Sequence, residues 1–193
     1  MKSNTKKGFT LIELLIVIGI LAILTAAVVV VLNPAELLKQ ARDAQRLSDL
    51  DSVKSAVSLY LATVDSPSLS DGAGADRVYY TASSTTGVPF TITQTGISSS
   101  TAIDGSGWVT VQLSDTSGGS PLSALPLDPT NNGTYFYGWA SSNSALTFEL
   151  DARLESSKHR AKMTSDGGNK NTCSSYTEST CFYEIGTDPG LNL

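Results

Sequence analysis

The residues with the clearest chemical potential stand near the start of the chain. Glu13 is the one acid inside an almost wholly apolar run over residues 9–32, and the pair Gly8-Phe9 lies just ahead of it. An ionised carboxylate at membrane depth costs at least ~2.5 to 3.5 kcal/mol even on permissive insertion scales, so it calls for a partner. No cation lies inside the run. Cleavage between Gly8 and Phe9 would expose an α-amine four residues before Glu13, on the same helix face and about 6 Å along the axis. The amine of a neighbouring copy, shifted along its own axis, could equally reach Glu13, and the costly charge would then set an assembly register.

The other candidate groups carry less. Cys173 and Cys181 are the only cysteines. In an extracytoplasmic domain they are expected to form a disulfide, worth about 2 to 3 kcal/mol for so short a loop. Free thiols or a metal site are the alternatives, although a single histidine leaves a four-ligand zinc site short of donors. Asp166-Gly167-Gly168-Asn169, with Asp188 or Glu184, offers oxygen ligands to calcium in a spacing that fits no defined loop, so no metal or cofactor is expected. His159, between Lys158 and Arg160, reads as a solvated turn rather than a general base. No G-x-S-x-G elbow, phosphate-binding Gly-Lys loop or dinucleotide fingerprint occurs, and the chain is not expected to be an enzyme. Asn132-Gly133-Thr134 is a glycosylation triplet, of a kind frequent by chance. A net charge of −5, more negative once Lys2, Lys6 and Lys7 are removed, argues against a broad nucleic-acid surface, although Lys158, Arg160 and Lys162 form a small basic patch.

The elements that must position these groups follow from periodicity. Residues 9–32 as a helix would span roughly 36 Å, enough to cross the ~30 Å core of a bilayer. Lys2, Lys6 and Lys7 precede the run and no basic residue follows before Lys39, which places the N-terminus in the cytoplasm and the remainder outside. Gly19, Ala22, Thr25, Ala26 and Ala27 are small enough to let neighbouring helices approach. Asn33-Pro34 predicts a kink or a melted turn. Beyond it Leu37, Ala41, Ala44, Leu47, Leu50, Val53, Val57, Tyr60 and Leu61 recur at helical spacing as one apolar face. Glu36, Lys39, Asp43, Arg46, Asp49, Asp51 and Lys54 pair at i,i+3 or i,i+4 on what reads as the outer surface. The helix should end at Asp65-Ser66-Pro67.

Residues 66–193 are rich in Ser, Thr and Gly, with short β-like runs at 78–81, 90–93 and 108–113. The clearest strand is 146–154, where Phe148, Leu150, Ala152 and Leu154 alternate with Thr147, Glu149, Asp151 and Arg153, predicting a sheet with one wet face. With 135–139 it should form an antiparallel hairpin packed on the amphipathic helix. The fold class is α+β: a long N-terminal helix, membrane-spanning in its first half and amphipathic in its second, packed on a small antiparallel β-sheet domain.

Gly8-Phe9-Thr10-Leu11-Ile12-Glu13, preceded by a short basic leader, resembles the processing and methylation motif of type IV pilins and type II secretion pseudopilins. The resemblance implies four segments: a leader over 1–8, a transmembrane and assembly helix over 9–32, its amphipathic continuation over 33–65, and a globular domain over 66–193 closed by a C-terminal disulfide loop. It further implies cleavage after Gly8 by a prepilin peptidase, N-methylation of Phe9, and docking into a filament through Glu13. Implied partners are the chain's own copies in a helical polymer, the peptidase, an assembly platform and the membrane before assembly. Nucleic acid is not expected among them. The implied location is a single-pass state in the cytoplasmic membrane, then an extracytoplasmic or cell-surface filament. Leu125-Pro126-Leu127-Asp128-Pro129, leading into Tyr135-Phe136-Tyr137, is similar to the Pro-x-Asp-Pro loop of major pseudopilins and some bacterial pilins and leans toward the former, whereas a C-terminal cysteine pair is more typical of pilins. Three readings follow: a pilus-like filament subunit, a secretion pseudopilin, or, from another class, a monomeric anchored binding protein.

Overall fold

Helix α1 (Leu11–Leu32) begins where the sequence supplies its own cap, because Thr10 takes an extended conformation (ψ 153°) and turns its side chain back onto the first helical turn. Phe9 therefore precedes the cap and is not part of the helix, in contrast to a helix starting at residue 9. The computed structural model describes residues 8–70, 75–82, 89–90, 96–174 and 180–193, in two compact units, Met1–Leu38 and Lys39–Leu193. In the first unit, Leu11–Val29 is long and apolar enough to cross a membrane, and its side chains are exposed.

The expected disturbance at Asn33-Pro34 is a break between two helices. Asn33 adopts the left-handed conformation (φ 40°), which asparagine tolerates better than most residues, and closes α1. Pro34 then opens α2 (Pro34–Thr63) at the position where its missing N–H costs nothing. Glu36 and Leu37 donate their N–H groups to the Asn33 carbonyl at 3.0 and 3.3 Å.

In the second unit, α2 buries Leu50, Val53, Ala56, Val57 and Tyr60 against Trp108, Leu125, Tyr137, Trp139, Phe148 and Leu150. Each such aliphatic or aromatic side chain contributes about 1.5 to 3 kcal/mol by leaving water. Among the described residues the sheet has five strands in the order β2-β1-β3-β4-β5, namely β1 (Arg77–Tyr80), β2 (Gly96–Ile97), β3 (Tyr137–Ser142), β4 (Thr147–Ala152) and β5 (Tyr183–Gly186). The β3–β4 hairpin is antiparallel, with Trp139 opposite Leu150, as the alternation predicts. The sheet is mixed and not purely antiparallel, since β1 and β2 run parallel through Tyr79↔Gly96.

Two expectations are corrected and a third falls outside the described residues. Residues 108–113 form no strand: Trp108 and Val109, adjacent in the chain, pack in the same cluster, and this stretch pairs through an isolated bridge between Asp104 and Gln112. Residues 91–93 of the run at 90–93 lie outside the described residues. The sheet face expected to be wet is covered, with Glu149, Asp151, Arg153 and Glu184 all buried. A second apolar cluster of Val78, Tyr80, Phe90, Phe136, Ala140 and Phe182 shares that side.

Candidate functional site

At the N-terminus the site is a capping box. Thr10 donates its N–H and its hydroxyl to Glu13 Oε2 at 2.8 and 2.9 Å, and Glu13 returns its own N–H to Thr10 Oγ1 at 3.3 Å. The carboxylate thus has a local partner before any amine is exposed, and it sits where the positive end of the helix dipole favours negative charge. The pattern T-x-x-E ahead of an apolar run announces this arrangement, and reasoning from charge alone passes over it. Phe9, 88 % exposed, and Gly8, with open space around its Cα, leave the Gly8–Phe9 bond accessible.

A second polar centre joins α2 to the loops of its unit. Arg46 is fully buried and makes three ionic contacts: Nε to Asp128 Oδ2 at 2.7 Å, and Nη1 to Asp43 Oδ1 and Glu155 Oε1, both at 2.8 Å. Its Nη2 also reaches Asp128 Oδ1 at 3.1 Å, so the Asp128 contact is bidentate. Arg42 holds Glu155 in the same way, at 2.6 and 2.8 Å. Asp43 accepts the backbone N–H groups of Glu155 and Ser156. The charge pattern of the helix places Asp43 and Arg46 on its solvated side, yet they lie on the stripe that continues through Leu50, Val53, Val57 and Tyr60. The aspartate of the Pro-x-Asp-Pro loop is thereby its anchor. One oxygen of Asp128 accepts from Thr130 and Asn131, and Asn131 in turn bonds Thr81.

Burial raises the Glu155 carboxyl, but hydrogen bonds from Arg42 and Arg46 outweigh that and hold it below the ordinary carboxylate range. A depressed pKa contributes stability above the unfolded value near ~4.3 and loses it as pH falls through the folded value. The stability gap between wild type and Glu155→Gln should therefore narrow as the pH is lowered from about 5 towards 3. Denaturant titrations at a series of pH values measure this, and a constant gap would contradict it.

The third centre is the covered sheet face. Asp151 and Glu184 are direct cross-strand partners, and Glu149 lies two residues along β4 from Asp151. Burial raises all three carboxyls, Asp151 well above its usual value and Glu184 to about 7. The Lys170 ammonium lies 3.8 Å from Glu149 Oε1 and 3.6 Å from Glu184 Oε1. Burial pushes the nearby Arg153 guanidinium down to about 10, while it donates to the Thr134 carbonyl at 2.6 Å and covers the Phe182 ring.

Cys173 and Cys181 are joined as a disulfide, with Cys181 packed on Leu154 and Met163. His159 is not fully solvated, and its Nδ1 lies 3.9 Å from Asp43 Oδ2. Of the oxygens proposed for a calcium loop, those of Asp166, Glu184 and Asp188 line one surface pocket. Asp166 accepts N–H groups from Gly168 and Glu184, and Asp188 accepts from Thr147 and Asn192, while Glu184 belongs to the sheet cluster. The Asn132 side chain accepts from Thr134 and Tyr135 N–H groups, which shapes the turn before β3.

Neither the curated proteins nor the solved structures gave a match. The family model for the prokaryotic N-terminal methylation motif matches residues 3–29, a stretch that contains Gly8, Phe9, Thr10 and Glu13. The chain therefore carries the prepilin signature of type IV pilins and pseudopilins at its N-terminus.

Proposed function

We propose that this chain is the structural subunit of a type IV pilus-like filament, cut after Gly8 by a prepilin peptidase, methylated on Phe9 and assembled from the membrane through α1. The observation that carries the reading is the methylation motif itself, placed at the start of a helix whose apolar side chains are exposed. Such a surface needs lipid or copies of itself, and a heterologous contact repeated by rotation and translation builds an open helix. The amine released at Phe9 would stand beside the positive end of the α1 dipole, an unfavourable place that Glu13 compensates in its own chain or in the next. Before assembly the leader lysines favour a cytoplasmic N-terminus, with the second unit outside.

A secretion pseudopilin is the second reading. Its support is the loop whose Asp128 is locked on Arg46, while the Cys173–Cys181 disulfide supports the pilus. Mass spectrometry of the N-terminus, combined with imaging of sheared cell-surface material, tests both. The expected product begins at methylated Phe9 and is found in long fibres, and Gly8→Ala accumulates as unshortened precursor. A trimmed Gly8→Ala product, or a wild-type chain beginning elsewhere, would refute processing at this bond. Correct processing without surface fibres would favour the pseudopilus.

A further inference from the structure

We propose that Lys170 and Glu184 are a covalent modification site, at which the lysine amine condenses with the glutamate carboxyl into an intramolecular amide, with Glu149 as the base. Lys170 is buried on the covered side of the sheet, 7 % exposed, and its Nζ lies 3.6 Å from Glu184 Oε1 and 3.8 Å from Glu149 Oε1. A charge-assisted hydrogen bond would close such gaps to about 2.7 to 2.9 Å. The ammonium donates to Asn169 Oδ1 instead. Its distance from Glu184 Oε1, the atom one bond away from the carbon to be attacked, is close to the separation of about 3 to 3.5 Å at which bound groups are poised to react.

The backbone holds the reactants in place. The Lys170 N–H donates to Glu184 Oε2 at 2.7 Å, and the Lys170 carbonyl accepts the Phe182 N–H at 3.1 Å, so the two chain segments lie side by side. Gly168 permits the approach, because a Cβ there would collide with the Glu184 carboxylate. The Leu193 N–H holds Glu149 Oε2 at 3.0 Å. Glu149 also shares hydrogen bonds with Asp151 and with Glu184. Two carboxyls can bond each other only when one of them keeps its proton. Burial raises all three, Glu184 to about 7, which supplies both a neutral, electrophilic Glu184 carboxyl and a Glu149 carboxylate basic enough to take a proton from an amine.

Glu149 removes a proton from the Lys170 ammonium, and the freed Nζ lone pair forms a bond to Glu184 Cδ. The negative charge of the tetrahedral intermediate falls on Oε2, at which the Lys170 N–H is already aimed. Glu149 passes its proton to Oε1, the Cδ–Oε1 bond breaks and water leaves, and the nitrogen returns a second proton to Glu149. The three protons of the ammonium and the one of the Glu184 carboxyl end as one on the amide, two on water and one on Glu149, so no oxidant or co-reactant is needed. The product replaces a buried ammonium, costly to desolvate, with a neutral amide. It closes a ring over residues 170–184 around the Cys173–Cys181 disulfide, and its formation does not depend on filament assembly.

No lysine or arginine follows Lys170, so trypsin reads the bond directly. The full-length chain, purified in detergent, is denatured, reduced, alkylated and digested for mass spectrometry. The expected C-terminal peptide is 163–193, uncut at Lys170 and lighter by one water, with fragmentation placing the link on Glu184; an unmodified chain gives 163–170 and 171–193 instead. Glu184→Ala should be cut at Lys170. Glu149→Gln should form the link at least about 100-fold more slowly, so the freshly purified variant should be cut there too. Wild-type peptides 163–170 and 171–193 at full mass, or a link to Glu149 in place of Glu184, would overturn the proposal, and this digest decides alone if a variant fails to fold. Blocked cleavage in Glu184→Ala would overturn it equally, and a fully linked Glu149→Gln would remove Glu149 as the base.

Discussion

Replacing Arg46 with alanine should cost about 3 to 5 kcal/mol of unfolding free energy, the range found when one partner is taken from a buried ion group. Three carboxylates converge on this guanidinium, and Asp43 and Asp128 are themselves inaccessible to solvent. Removal of the cation leaves them without their shared counter-charge in a place where water cannot replace it. Against a typical stability of roughly 5 to 15 kcal/mol, a loss of that size removes a large share of the total. Lysine should rescue only a fraction, because an ammonium cannot hold Asp128 with two parallel bonds while reaching Asp43 and Glu155. Urea titration of the detergent-solubilised chain, followed through the buried Trp108 and Trp139, provides the measurement. A loss under about 1 kcal/mol would show that the group behaves like an exposed pair.

The second large effect concerns Glu13. Glu13→Leu should leave a folded and processed protein but reduce surface filaments by at least about tenfold, the consequence of losing a contact of ~1.4 kcal/mol or more at each subunit step. Loss of the cap cannot account for that by itself, and Thr10→Ala separates the two contributions. Thr10→Ala removes the hydroxyl that bonds Glu13 and should weaken the first turn by about 1 kcal/mol while keeping the charge. Quantifying sheared filaments from the two variants decides the matter. Equal loss in both would make Glu13 only a cap, and wild-type abundance in Glu13→Leu would remove it from assembly altogether.

How far the sequence reveals this molecule differs from element to element. The two helices, the break at Asn33-Pro34 and the β3–β4 hairpin are legible because period and punctuation are local properties. The polar centres are not, because their partners lie far along the chain: Arg46 finds Asp128 and Glu155 only after the sheet has been laid against α2. A clue existed, since counting back from Tyr60 through Val57, Val53 and Leu50 in steps of three and four arrives at Arg46 and Asp43. The strand 146–154 misleads for a related reason. Alternation distinguishes two faces without saying what covers the second, and here Lys170, Phe182 and Leu193 close over the acids. Residues 108–113 show the limit of composition, since β-branched and aromatic residues suit any buried backbone, strand or not.

The step at Asn33 also bears on how the chain carries tension. An unbroken helix shares a pull among its i to i−4 bonds, but Pro34 has no N–H, and Asn33 interrupts the ladder on one side and anchors it on the other through two contacts of 3.0 and 3.3 Å. Stretching should begin there, as each residue that leaves the coil lengthens from about 1.5 to 3.3 Å. The weakest point of the helical run is thus written in one asparagine and one proline.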